Sequence, residues 1–304
     1  MQTPAPVAYE RATTVDHALE LLERLGPDSR LIAGGHSLLP MMKLRLARPE
    51  TVIDINGLTD LDYIRVDGGE LAIGAMTRHA GILDSPIIAE HYSIFTEAEK
   101  VIADPIVRNR GTLGGSLCQG DPAEDLAAVA SALKASVVVR SRAGTRTIPA
   151  RELHTGPYET AVGPAEILTE LRVPIRAGAG SAYEKVERRA GDWAAAAVGA
   201  YVVLGDGATH PGASASGPGS GTITGAGIGL TAVGAQHFCA PEAEQYLIGK
   251  PPTDEHLAEA ARLAAQGTSP NADQRGPVDY KRHLAEELTL RALRRSVARA
   301  QGRI

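Results

Sequence analysis

Two double-glycine segments carry most of the chemical content of this chain. They are Ala33-Gly34-Gly35-His36-Ser37 and Gly111-Thr112-Leu113-Gly114-Gly115-Ser116. Without a Cβ, glycine lets neighbouring backbone N–H groups come close to an anion. A helix start behind such a turn adds unpaired N–H groups and the positive end of a dipole. Ser37, Thr112 and Ser116 can add hydroxyl donors. Either segment alone reads as an ordinary turn. Together they could clamp a pyrophosphate from two sides, which points to a dinucleotide.

Other chemistries find little support. The first segment lacks the G-x-G-x-x-G of nicotinamide-type Rossmann folds, and no G-x-x-x-x-G-K-[ST] supports nucleotide hydrolysis. The two cysteines, Cys118 and Cys239, make no C-x-x-C pair. They cannot staple a disulfide scaffold or hold an iron–sulfur cluster by themselves. The nine histidines show no H-x-x-x-H or H-E-x-x-H spacing, so no metal site is expected in this chain. A net charge of −5 and a pI near 6.0 argue against a nucleic-acid partner. At 43% hydrophobic and 22% charged over 304 residues, the chain is an ordinary globular protein of two or three domains. Met1 to Tyr9 lacks a basic region leading into an apolar core, so no signal peptide is expected, and the expected compartment is the cytoplasm. Trp193 to Leu204 is too short to span a bilayer.

The elements that must position these segments alternate at first. Val7–Tyr9, Leu31–Ala33 and Thr51–Ile55 read as strands, separated by an amphipathic helix over 15–25 and a short helical turn over 38–46. Asp67-Gly68-Gly69 marks a hairpin between 63–66 and 71–75. A helix over 93–102 is followed by a loop to the second double glycine. Asp121 as N-cap, Pro122 at the first helical position and Glu124 as capping-box partner predict a helix reaching Ala135. Strands follow at 137–140, 145–148, 167–173, 182–186, 195–204 and 222–235. The tract 206–221 reads as a long Gly/Ser/Pro/Ala loop. Helices over 241–248, 254–265 and 280–299 end the chain.

Four blocks together resemble one family. They are AGGHSLLPMMKLR at 33–45, ADPIVRNRGTLGGSLCQGDPAEDL at 103–126, AYEKVERRAGDWA at 182–194 and RGPVDYKRHLAEEL at 275–288. In order and spacing they are similar to the FAD-binding medium subunit of molybdenum hydroxylases, most of all the aerobic carbon monoxide dehydrogenase type. The tract 206–221 departs from that pattern but lies outside every block.

The resemblance implies an α+β fold. A two-part FAD-binding domain of the vanillyl-alcohol-oxidase-like (PCMH) type would occupy 1–58 and 59–175. A smaller domain of antiparallel sheet plus helices would occupy 176–304. It implies FAD as cofactor, with Ala33, Gly34, Gly35, His36, Ser37, Thr112, Leu113, Gly114, Gly115 and Ser116 around the pyrophosphate. Asp125 matches an acidic FAD-binding position, Leu168 a backbone contact, and Tyr183 the aromatic residue beside the isoalloxazine. No catalytic acid or base is assigned; Tyr183 is the flavin-adjacent candidate. A large molybdopterin subunit and a small 2Fe-2S subunit are the implied partners, in a dimer of heterotrimers. Electrons would reach an external acceptor such as a quinone, at the inner face of the membrane. Three other readings stay open: a self-contained FAD-dependent dehydrogenase or oxidase, the medium subunit of an aldehyde or N-heterocycle hydroxylase, and a non-catalytic nucleotide-binding or scaffold protein.

Several residues have a plainer reading. Asp125 can simply favour the helix dipole. Lys185, Glu187, Arg188, Arg189 and Asp192 read as a solvated charged face, Trp193 as buried against the helix layer, and Cys118 as an inert thiol.

Overall fold

The computed structural model describes residues 3–205 and 221–304. Apart from Gly221, the Gly/Ser/Pro/Ala tract lies outside them. In chain order the elements run β1 Ala8–Arg11, α1 Val15–Leu25, β2 Ser29–Ile32, α2 Leu38–Lys43, β3 Thr51–Asp54, β4 Ile64–Asp67 and β5 Glu70–Gly74. Six helices follow: α3 His79–Leu83, α4 Pro86–His91, α5 Ser93–Val101, α6 Pro105–Arg110, α7 Leu113–Gln119 and α8 Asp125–Ala132. Next come β6 Ser136–Ser141, β7 Gly144–Pro149, α9 Ala150–Leu153, β8 His154–Gly156, β9 Glu159–Thr160 and β10 Ile167–Pro174. The last elements are β11 Ala179–Glu187, β12 Ala194–Leu204, β13 Ile223–Thr231, α10 Pro241–Leu247, α11 Asp254–Gln266 and α12 Val278–Ala300. The class is α+β, as the sequence implies. Among the described residues no helix is long and apolar enough to cross a membrane.

The chain forms two compact units. The first comprises Met1–Ser85, Asp104–Asp121 and Ser136–Val173. It opens with the expected β-α-β-α-β unit, a parallel sheet in the order β1-β3-β2. Thr14 caps α1 by accepting from the His17 N–H, and Gly26 ends the helix with φ 73°. The apolar stripe of α1 (Ala18, Leu19, Leu21, Leu22) is buried with Ile53, Ile55 and Leu58. A second sheet has the order β4-β5-β10-β6-β7. Two hairpins, β4–β5 and β6–β7, are joined by β10, which arrives from much later in the chain and pairs antiparallel with β6.

The second unit comprises Pro86–Ala103, Pro122–Ala135 and Pro174–Ile304. Its antiparallel sheet β11-β12-β13 carries helices on both faces. Ala200, Val202, Ile228 and Leu230 pack with Ala285, Leu288 and Leu293 of α12. On the opposite face α8 lies against β13, where a Cβ on Gly229 would stand 1.9 Å from the Ala128 carbonyl oxygen. Small residues in both elements set that close approach.

Three local expectations are corrected. The helix expected from Pro122 starts at Asp125, with Glu124 in the N-cap position and no side-chain cap. Asp121 instead accepts from the Tyr158 hydroxyl at 3.1 Å, and the Pro122 carbonyl receives the Ala232 N–H at 3.0 Å, which holds this segment extended. The second double glycine is not in a loop but within the first turn of α7. Trp193 is 42% exposed rather than buried, in the turn just before β12 begins.

Candidate functional site

The two glycine segments meet inside the first unit. Gly34 ends the run out of β2, and a Cβ there would lie 2.2 Å from the Arg110 carbonyl oxygen. Only glycine permits that approach. Gly35 follows with φ 80°, a left-handed conformation that turns the chain into α2. Among the described residues, the backbone N–H groups of Gly34, Gly35, His36 and Ser37 donate to no acceptor of the protein. Ser37 makes no side-chain cap to α2, and His36 is exposed. Consecutive unpartnered donors beside a glycine are the arrangement that binds an anion through backbone amides.

The second segment differs. The Leu113 N–H donates to the Thr77 carbonyl at 2.9 Å and the Gly114 N–H to the Ala75 carbonyl at 2.8 Å. Gly115 donates to the Thr112 hydroxyl at 3.2 Å and Ser116 to the Thr112 carbonyl at 2.9 Å. These amides fasten α7 to residues 75–77. The absent side chain of Gly114 allows it, since a Cβ there would meet the Ala75 Cβ at 2.7 Å. This segment therefore contributes a rigid wall with an exposed glycine, Gly115, and the first segment contributes the open donors.

Two residues that sequence reasoning missed join the segments. Asn56 donates from Nδ2 to the Ala33 carbonyl at 2.6 Å and accepts from Arg78 Nη2 on Oδ1 at 3.0 Å. Arg78 also donates to the Arg110 carbonyl. Asn56 is itself held by Asp54, which accepts its N–H and Nδ2 at 2.8 Å each and the Tyr9 hydroxyl at 2.6 Å. Burial alone would raise the Asp54 carboxyl. The Tyr9 hydroxyl and the Asn56 donors outweigh it and hold Asp54 below the usual carboxylate range. The dipeptide Asn56-Gly57 reads only as a turn, and nothing in the sequence singles out Arg78. Leu168 is buried in β10, paired with Val139, beside an irregularity in the ladder.

Asp125 and Tyr183 lie in the second unit and touch each other. The Tyr183 hydroxyl donates to Asp125 Oδ1 at 2.6 Å. Lys185 Nζ donates to Asp125 Oδ2 at 2.9 Å and to the Val101 carbonyl at 3.1 Å. Tyr183 pairs with Gly199, where a Cβ would come within 3.3 Å of its ring and 2.8 Å of Ile94. Burial raises the Asp125 carboxyl, opposed by the Lys185 charge and the Tyr183 hydroxyl. Burial and the Asp125 charge push the Tyr183 phenol well above its ordinary range. The Lys185 side chain is only 2% exposed, so it does not belong to a solvated face. It is the buried counter-charge of Asp125.

Residues 5–176 match the family description "FAD binding domain in molybdopterin dehydrogenase", and residues 181–296 match "CO dehydrogenase flavoprotein C-terminal domain". The carbon monoxide dehydrogenase medium chain of Hydrogenophaga pseudoflava is 41% identical over 97% of this chain and 99% of its own. The chain belongs to the FAD-binding medium subunits of the molybdenum hydroxylases. As a member of that family it is the flavoprotein component of an oxidoreductase, with FAD as its cofactor. The solved carbon monoxide dehydrogenase of H. pseudoflava lacking the Mo-pyranopterin moiety superposes with a TM-score of 0.90, at 41% identity over 97% of this chain and 99% of that one. The glyceraldehyde dehydrogenase medium chain of Sulfolobus acidocaldarius is 33% identical over 96% of this medium subunit and 98% of its own length.

Proposed function

We propose that this medium subunit collects electrons for a carbon monoxide dehydrogenase-like complex. A large molybdopterin subunit oxidises the substrate, and a small 2Fe-2S subunit relays electrons singly. Bound FAD would supply the redox carrier between those clusters and an external acceptor, a quinone in this reading. The complex is a dimer of heterotrimers in the cytoplasm, at the inner face of the membrane. The observation that carries this is the end-to-end similarity, at 41% identity, to a carbon monoxide dehydrogenase medium chain.

The chain's own residues supply binding and orientation. Gly34, Gly35, His36 and Ser37 offer the N–H donors for the pyrophosphate, with Ala33 holding the strand end. Thr112, Leu113, Gly114, Gly115 and Ser116 form the opposing wall. Asp125, Leu168 and Tyr183 are further cofactor-binding candidates in this reading, Tyr183 as the aromatic residue beside the ring. The open amides of Gly34 to Ser37 fit an anionic cofactor. The division into 1–58, 59–175 and 176–304 goes with this reading, the two family matches changing over between residues 176 and 181.

Affinity purification of the tagged chain from its native host tests the assignment. Two further subunits with iron and molybdenum support it, and copper alongside points to carbon monoxide. An active complex free of iron and molybdenum overturns it. A yellow, metal-free chain purified alone, whose flavin a small substrate bleaches, establishes a self-contained flavin dehydrogenase instead. The similarity to a glyceraldehyde dehydrogenase medium chain favours a second reading, an aldehyde-oxidising complex. Assaying the purified complex with carbon monoxide, aldehydes and N-heterocycles separates these.

A further inference from the structure

We propose that Asn56 and Arg78 form a positioning strap that sets the gap between the two glycine segments and supplies positive charge to the pyrophosphate between them. This rests on the FAD reading above. The strap is continuous: Ala33 carbonyl to Asn56 Nδ2, Asn56 Oδ1 to Arg78 Nη2, and Arg78 Nη1 to the Arg110 carbonyl. The Arg110 carbonyl is also the atom that Gly34 approaches. The guanidinium is therefore two contacts from the first open N–H group.

The backbone beside Arg78 is tied to the same place. Arg78 and Thr112 form an isolated antiparallel bridge, and the His79 N–H donates to the Gly111 carbonyl at 3.2 Å. The His79 ring fills the space beside Gly111, whose Cβ would meet it at 2.7 Å. Arg78 is thus fixed in position by backbone and side chain together.

Among the described residues no carboxylate forms a salt bridge with Arg78. Burial and the neighbouring Arg110 lower its pKa, outweighing the more distant charges of Asp62 and Asp54, which raise it. A diphosphate between the glycine segments would supply the direct ion pair that Arg78 lacks, at short range, where solvent and salt screen it only in part. Asn56 carries no charge and acts through geometry alone. The two strap residues are therefore separable by experiment.

The test is titration of the full-length apoprotein with FAD, ADP and riboflavin at low and high salt. The wild type is compared with Asn56→Ala, Arg78→Met and Arg78→Lys, each first checked for cooperative melting. Arg78→Met is expected to weaken FAD and ADP about tenfold or more, to leave riboflavin unchanged, and to flatten the salt dependence of FAD binding. Arg78→Lys keeps the salt dependence and recovers part of the affinity. Asn56→Ala weakens FAD and ADP with the salt dependence intact. Arg78→Met that binds FAD like the wild type, or that loses riboflavin and FAD equally, overturns the strap. Wild-type protein that binds neither FAD nor ADP overturns the FAD reading itself.

Discussion

Gly34 and Gly111 are so close that a Cβ on Gly34 would lie 2.7 Å from the Gly111 Cα. The two segments that the sequence marks independently thus become one structure, joined backbone to backbone.

Gly34→Ala follows directly. A methyl group there must displace the Arg110 carbonyl, and overpacking of this kind costs about 1–3 kcal/mol. The variant is expected to melt earlier and to purify with most of its flavin missing. Thermal unfolding with flavin-to-protein absorbance checks both. A variant with full flavin content and unchanged melting contradicts the close approach.

Lys185 and Tyr183 share Asp125 but should differ in weight. Lys185→Met leaves a carboxylate with a side chain 6% exposed and without its cation, a loss of about 3–5 kcal/mol. Tyr183→Phe removes one hydrogen bond to a charged group, about 1.5–3 kcal/mol. Asp125→Asn combined with Lys185→Met should recover part of the first loss, because neither charge is then stranded. Urea unfolding of the three variants measures the order.

His154 makes the first unit sensitive to mild acid. Its ring Nε2 lies 2.9 Å from the Leu117 carbonyl of α7. Burial holds the imidazole below its ordinary value, only partly offset by that carbonyl. Between the lowered folded value and the ordinary value of about 6.5, the unfolded chain binds more protons. The stability it contributes is therefore complete above about pH 6.5 and falls as the pH drops. His154→Gln is expected to flatten the dependence of melting temperature on pH between about 5 and 7. An unchanged profile counts against it.

Glu97 acts lower on the pH scale and in the second unit. It accepts from Arg295 and Arg299 of α12 and from the Tyr183 N–H. Burial would raise its pKa, but these donors and charges outweigh it and hold the carboxyl below its ordinary value. Folding stability from Glu97 is thus present above about pH 4.5 and lost as the pH falls through the folded value. Glu97→Gln is expected to cost about 2 kcal/mol at neutral pH and to reduce acid lability. Equilibrium unfolding at pH 7 and at pH 4 gives both quantities.

Local signals along the chain specify many of its elements and its family. Val15–Leu25 has the helical period, Asp67-Gly68-Gly69 the hairpin turn, and the four blocks the family resemblance, because each signal is carried by residues near in the chain. Short α7 was not legible. Its sequence LGGSLCQ holds two poor helix formers, and its first amides are fixed by Ala75 and Thr77. α8 starts later than its local capping signals predict because Asp121 and Pro122 are engaged by Tyr158 and Ala232. Long-range contacts alone place β10 between two hairpins, join the glycine segments through Asn56 and Arg78, and bury Lys185 against Asp125. The physical reason is common to all three. All link residues distant in the chain, β10 through a strand ladder and the others through single hydrogen bonds or an ion pair, and which distant residues meet leaves no period or composition in the sequence around them.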